Sequence, residues 1–306
     1  AGQVECPQMP HREILRMMEL MDTIRGQWGL EYPELLTIAL VAVFAVGSCF
    51  GSFLNVCIWR LPLGESIVSV PSHCTKCGYE IRWHDNIPII SYLVLRGRCR
   101  NCREPYSPRY LIVEALTGAL FVAVFLKVGL TSQPPAMLAL YWVMVMLCVT
   151  TSWIDVEHRL IPDATTYPAL LFGLAVGTAF PSVQGCDTYP AALLRAVLGA
   201  AVPGVLLALF AVAGRLAAKR EVLGWGDVKF AAAAGALLGA AGALFSVAAG
   251  ALAGTVYGIA LALTRKRSMK HLAIPFGPFL AGGALVWIFF GEKILRWYLS
   301  LLRLAQ

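Results

Sequence analysis

Eight strongly apolar stretches run through this 306-residue chain, at 33–54, 110–128, 135–154, 164–180, 190–214, 230–244, 245–264 and 273–291. A helix needs about 20 predominantly apolar residues to cross the hydrocarbon of a bilayer. Backbone in lipid must satisfy its own hydrogen bonds, so a chain with this pattern folds as a bundle of membrane-crossing helices. Composition agrees: 58% of residues are hydrophobic and 14% charged, against about 25% charged in soluble domains. The expected fold is an all-α polytopic membrane protein with about eight transmembrane helices. The small-residue runs 231–236 and 248–254 are expected to form the bundle interior, because small side chains let helix backbones approach closely in lipid.

Basic residues orient the bundle. Arg60, Lys76, Arg82, Arg96, Arg98, Arg100, Arg103 and Arg109 crowd 60–109, Arg215, Lys219, Arg220 and Lys229 lie in 215–229, and Arg265, Lys266, Arg267 and Lys270 lie in 265–270. The connections at 129–134, 181–189 and 240–246 hold neither Lys nor Arg. The basic loops are therefore expected on the cytoplasmic side and both termini outside. A net charge of +7 is accounted for by loops facing anionic lipid, without a nucleic-acid partner. His11–Arg25 alternates apolar and charged residues, which predicts an amphipathic helix lying at the interface. No cleavable signal peptide is expected.

Two CxxC pairs, Cys74/Cys77 and Cys99/Cys102, are separated by 21 residues. Thiolates paired in this way can close a tetrahedral Zn2+ site, and four cysteine ligands leave no open position for water, so such a metal is structural. Disulfides are the competing reading, disfavoured in a reducing cytosol. His73 and His84 are read as bystanders. Cys49, Cys57 and Cys148 read as small apolar core residues, whereas Cys6 and Cys186 both fall outside, where a disulfide between them is chemically allowed. The expected organisation is an interfacial segment at 1–32, a first transmembrane helix at 33–59, a cytoplasmic zinc-binding domain at 60–109, a transmembrane core at 110–291 and a tail at 292–306.

Asp155 and Asp227 end strongly apolar segments in short polar motifs, Trp153-Ile154-Asp155 running on to Ile161-Pro162-Asp163, and Gly224-Trp225-Gly226-Asp227-Val228-Lys229. A carboxylate beside hydrocarbon is expensive and marks function. Two carboxylates close enough to share a proton supply a general acid and a general base for peptide hydrolysis without a covalent intermediate. Gly224 and Gly226 would permit unusual backbone or close approach, and Pro162 fixes the turn before Asp163. The same pair could instead be a proton relay in a transporter, and a lone Asp at a helix end is often a cap or the partner of Arg159 or Lys229. Asp163 is a candidate N-cap for a helix beginning near Ala164. These residues alone leave peptidase and proton-coupled transporter both open.

Together with Gly51-Ser52-Phe53-Leu54-Asn55-Val56, Arg60-Leu61-Pro62, Asn86-Ile87-Pro88-Ile89-Ile90-Ser91-Tyr92-Leu93, Leu95-Arg96-Gly97-Arg98-Cys99, Arg109-Tyr110, Glu114, Thr117-Gly118 and Ile274-Pro275-Phe276-Gly277-Pro278-Phe279, these motifs resemble the type IV prepilin peptidases, GxGD-type aspartic membrane proteases. The likeness runs from about Gly47 to Ala284. It implies Asp155 and Asp227 as the catalytic pair, with Gly224, Gly226, Lys229, Asp163 and Glu114 in support. It implies prepilins and pseudopilins of type IV pili and type II secretion as substrates, cut on the cytoplasmic side of a bacterial inner membrane. It further implies S-adenosylmethionine-dependent methylation of the new amino terminus, although 60–109 holds no glycine-rich nucleotide loop. The segment before Glu34 is longer than the family pattern. A basic leader would meet Glu114, Glu157 and Asp163 as the acidic groups available near the site.

Overall fold

The computed structural model describes residues 11–27, 33–69, 71–131, 133–219, 223–265 and 274–304. Cys6, and with it the question of its pairing with Cys186, lies outside them. Among the described residues there is no strand, only two isolated bridges, His73 with Glu80 and Arg98 with Pro105. Residues 1–42 form one unit and 43–306 a second. The first holds α1 (His11–Gln27), which is helical as its periodicity predicts, and the start of α2 (Pro33–Arg60).

The second unit continues α2 into a long loop containing the short α3 (Ile90–Val94), then α4 (Arg109–Leu130), α5 (Ala136–His158), α6 (Asp163–Ala179), α7 (Tyr189–Ala218), α8 (Trp225–Arg265) and α9 (Gly277–Leu304). Proline recurs at helix starts: Pro108, Pro135 and Pro162 immediately precede α4, α5 and α6, and Pro190 and Pro278 are second residues of α7 and α9. There the missing N–H would have no intrahelical partner anyway, and the fixed φ suits the first turn. Among the described residues six helices are long and apolar enough to cross a membrane, so the chain is a multi-pass membrane protein.

One of the six is two limbs. At Gly239 the backbone has φ 76° and ψ 165°, a conformation only glycine adopts readily. Asp227 starts the first limb beside Asp155, to which it is electrostatically linked. In the second limb Gly242 packs on Trp287, the Ser246 hydroxyl donates to the Leu280 carbonyl at 2.6 Å, and Gly254 lies against Phe279 and Phe276. Phe276 adjoins Gly277, whose N–H bonds Asp155. Both limbs thus return to the aspartate end, and α8 folds back on itself. With α6, which has 17 residues, the described residues form eight apolar helical segments, matching the expected number.

The expected break between 244 and 245 is therefore corrected to Gly239, because no polar residue marks the turn in this Ala/Gly-rich stretch. The run 231–236 is interior as expected: Ala231, Ala233, Ala234 and Ala236 are buried. A Cβ on Gly235 would collide with the Gly199 carbonyl of α7, and one on Gly173 of α6 would meet Ala236 at 2.9 Å. The run 248–254 is not interior, since Ala248, Ala251, Leu252 and Ala253 are exposed and only Gly250 is buried against Phe279. Cys57 and Cys148 are buried, but Cys49 faces outward. The core between α4 and α5 is anchored by Phe121 stacked on Trp142, with centroids 4.7 Å apart and the indole N–H donating to the Phe121 carbonyl at 3.1 Å.

Candidate active site

Asp155 lies in the last turn of α5, which closes with Arg159 in the left-handed conformation and its N–H bonded to the Asp155 carbonyl at 2.9 Å. The side chain is 7% exposed. Its Oδ2 accepts the Gly277 N–H at 2.7 Å, and the Phe276 N–H also bonds to it. Those donors are the free amides at the start of α9, so Asp155 caps a helix from another segment, where a negative charge complements the dipole. Asp227 lies in the first turn of α8 and accepts a bond from the Gly224 backbone. Asp155 and Asp227 interact electrostatically. Ends of three helices therefore converge on two carboxylates, each oriented by backbone amides that no side-chain change can remove.

The glycines of the second motif act through space rather than conformation. A Cβ on Gly226 would lie 2.9 Å from the Ile161 Cβ, so the segment after α5 rests directly on the start of α8. Neither Gly224 nor Gly226 has positive φ. Asp163 is not an N-cap: α6 begins at Asp163 itself behind Pro162 without a side-chain cap. Its carboxylate instead accepts from Lys229 at 2.6 Å, with the ammonium 5.5 Å from the Tyr167 ring centroid. The pair ties the two motifs together at an exposed surface, where such pairs contribute about 0–1 kcal/mol. Lys229→Met should accordingly shift thermal stability by less than about 1 kcal/mol, read by melting in detergent, and a larger loss would mean that the tie holds the motifs in register.

Glu114 takes no part in the pair. It is 7% exposed, its Oε2 accepts the Ile89 N–H at 2.7 Å and its carboxylate bonds Ser52. Ile89 has φ 64°, a strained conformation for a β-branched residue, and the Glu114 bond holds it. Glu157 receives Arg109 at 2.7 and 2.8 Å, pinning the start of α4 to the end of α5. Glu114, Glu157 and Asp163 are thus all engaged within the chain. None is the unpartnered acid that a basic leader would seek.

The four motif cysteines come together. Their sulfurs lie within 4.8 Å of one another, Cys74 to Cys102 at 3.8 Å and Cys77 to Cys99 at 4.0 Å. Ligands about 2.3 Å from a tetrahedral zinc stand about 3.8 Å apart, so the cluster has the size of a metal site built from four thiolates. Each pair sits on a knuckle of the same form: the Cys74 N–H bonds the Tyr79 carbonyl and Gly78 N–H the Cys74 carbonyl, and Cys99 repeats this with Glu104 and Arg103. The Tyr79 backbone, with Asn101 and the neighbouring thiols, holds Cys77 down to about 6. The Arg60 guanidinium donates to Ser66 and Pro71 carbonyls, hooking the loop to the end of α2.

Comparison with known proteins agrees with this arrangement. A family model described as the bacterial Peptidase A24 N-terminal domain matches residues 45–128, and one described as the type IV leader peptidase family matches 142–259. The chain belongs to the type IV leader peptidase family. A Myxococcus xanthus protein named prepilin leader peptidase/N-methyltransferase is 40% identical over 229 residues, covering 74% of this chain and 64% of that protein. Proteins of the same name from Aeromonas hydrophila and Pseudomonas aeruginosa are 36% and 32% identical over 282 and 297 residues, covering 93% and 97% of their lengths and 84% and 89% of the peptidase. No solved structure matches significantly. The transporter alternative gains no support from these relatives.

Sequence reasoning missed one pair of contacts in the peptidase, the Phe276 and Gly277 amides on Asp155. The signal was present as Ile274-Pro275-Phe276-Gly277-Pro278, a turn that must start a helix, but nothing in it names its partner. A Cβ on Gly277 would lie 2.9 Å from Asp155 Oδ2 and 3.1 Å from its Cβ. Gly277→Ala should therefore displace the Asp155 carboxylate and lower kcat for leader cleavage by roughly 10- to 100-fold, as small misplacements of catalytic groups do, with folding retained by circular dichroism. Unchanged kcat would show that Asp155 tolerates the displacement.

Proposed function

We propose that the peptidase removes the leader of type IV prepilins or pseudopilins with Asp155 and Asp227 as its catalytic dyad, at the cytoplasmic face of a bacterial inner membrane, and then methylates the exposed amino terminus. The observation that carries this reading is the packing of the two motifs, Gly226 of one against Ile161 of the other, which brings both carboxylates to the same end of the bundle, each held by backbone amides. In a shared site one carboxylate is ionised and the other protonated. The ionised one takes a proton from water as its oxygen adds to the scissile carbonyl, while the protonated one donates to the carbonyl oxygen. Collapse of the tetrahedral adduct passes a proton to the leaving nitrogen, leaving the leader with a new carboxyl group and the mature chain with a free amine. The apolar helix of a prepilin can remain in lipid beside the bundle while its leader reaches the dyad, so the scissile bond never crosses the hydrocarbon.

Cys74, Cys77, Cys99 and Cys102 would hold Zn2+, a metal that suits four thiolates in tetrahedral array. With all four positions taken, it would staple the loop and touch no substrate. S-adenosylmethionine would supply an electrophilic methyl group for the second reaction. The deciding experiment incubates the detergent-solubilised protein with a prepilin, alone and with the methyl donor. The expected result is a shift to the mature mass, with a further gain of one methylene mass only when the donor is present. Absence of the first shift overturns the peptidase reading for this chain, and absence of the second overturns methylation.

A further inference from the structure

On the loop between α2 and α4, Trp83, Ile90, Leu93 and Val94 are 81, 57, 61 and 69% exposed. Clustered apolar side chains left open in this way mark an interaction surface. Ile90, Leu93 and Val94 stand at i, i+3 and i+4 of α3 and share one face. The Ser91 hydroxyl donates to the His84 carbonyl at 3.0 Å, fastening the turn Trp83–Asn86 beside that helix. The other side of α3 turns to the protein: Ser91 is buried, and Tyr92 meets the Tyr106 ring edge-on with centroids 5.3 Å apart.

The depth of the exposed face follows from Glu114. It lies five residues after Arg109, the first of α4, about 7 Å along a helix that enters lipid. Its carboxylate accepts the Ile89 N–H at 2.7 Å, and α3 begins at the next residue. The short helix is therefore held beside the first turns of a membrane-crossing helix. Interfacial helices bury their apolar face to about 5–10 Å, at the boundary between headgroups and acyl chains. Just past α3, Arg96 and Arg98 are exposed and make no ion pair among the described residues, while the loop acid Asp85 is taken by Arg100.

We propose that α3 and the turn before it are a monotopic foot that docks the loop on the bilayer, with Trp83, Ile90, Leu93 and Val94 in the interface and Arg96 and Arg98 on the phosphates of anionic phospholipid. Charge selects this occupant. A second copy of the same surface would set arginine against arginine, whereas an anionic headgroup attracts both cations. An indole such as Trp83 also favours the level of the headgroups. Lipid thus covers the apolar side chains that so small a loop cannot bury within itself.

The test uses the full-length protein in vesicles of phosphatidylcholine containing phosphatidylglycerol. The photoreactive residue p-benzoylphenylalanine is placed at Leu93, and its adducts are identified by mass after illumination. Phospholipid should be the main adduct, with phosphatidylglycerol enriched above its share of the vesicle. Arg96→Gln combined with Arg98→Gln should lower that enrichment roughly fivefold or more, with metal content unchanged. Equal enrichment in both proteins overturns the arginine contacts. Absence of lipid adducts, or adducts to a second copy of the chain or to added prepilin in their place, overturns the docking. A second measurement leaves Leu93 intact: the fraction of tryptophan emission quenched by phospholipid brominated on its acyl chains should fall in Trp83→Tyr. A fraction that stays level or rises places Trp83 outside the bilayer and overturns the proposal.

Discussion

Asp155→Asn and Asp227→Asn should each reduce prepilin cleavage by roughly 1,000-fold or more, the upper part of the range for loss of a positioned acid or base. The double variant should be no worse than either single one. Asn keeps the shape of Asp and can still accept the Gly277 amide on Asp155 and the Gly224 amide on Asp227, so the fold has no reason to change. What is lost is a titrating proton, and a dyad lacking either half cannot complete the cycle, which is why losses within one catalytic unit do not add. Initial rates on a purified prepilin measure all three variants. Near-wild-type turnover in either single variant would sink the dyad assignment, and losses that multiply in the double variant would mean that the carboxylates act on separate steps. Any pH profile belongs to the pair rather than to one residue.

Removing the metal should unfold the loop between α2 and α4 while leaving the transmembrane helices intact. That loop has almost no core: Val68, Trp83, Ile90, Leu93 and Val94 are all exposed, and Cys99 is its one buried hydrophobic residue among those described. Binding of a structural zinc contributes about 10–16 kcal/mol in small metal-folded peptides, far more than an ion pair such as Asp85–Arg100 can supply. Arg100 holds the Asp85 carboxyl below the usual carboxylate range, so that tie is intact above about pH 4 and is lost as pH falls further. Thiolate ligation fails earlier on acidification, because each ligand must shed a proton to bind. Lys76, Arg82 and Arg96 are exposed side chains on an ordered backbone, and chelation, or Cys99→Ser, should loosen that backbone enough for trypsin to cut at them. Elemental analysis of protein prepared without chelator should give one zinc per chain, and finding none would overturn the metal reading.

Most of the fold was legible because lipid imposes one strong rule: the apolar runs and the CxxC spacing each have a single dominant physical meaning. What escaped depended on pairing across the chain. Gly239 reverses α8 through its backbone angles, which no neighbouring polar residue announces. Asp163 reads as a cap from its position before Ala164, yet Lys229, 66 positions away, captures its carboxylate. Arg109 reads as one of the basic loop residues and Glu157 as an acid open to a leader until α4 and α5 are set side by side. The two aspartates stood out because a carboxylate at a hydrocarbon boundary demands a reason, whereas the amides that orient Asp155 belong to an ordinary-looking proline turn.

The fold-back at Gly239 also bears on the lipid around the protein. At about 1.5 Å per residue, the limb from Trp225 to Leu238 extends only about 20 Å, and α6, which packs on it through Gly173 and Ala236, about 25 Å. A typical hydrocarbon core is about 30 Å thick. The limb is interior, but α6 turns Tyr167, Leu171 and Phe172 outward, and a lipid-facing element this short leaves a hydrophobic mismatch, which a bilayer relieves by thinning locally or by drawing interfacial groups inward. The boundary of the apolar phase is thereby lowered on the flank where Asp227 begins the short limb. A helix diffusing in the plane of the membrane would find there the shallowest barrier to lifting its terminal residues out of lipid.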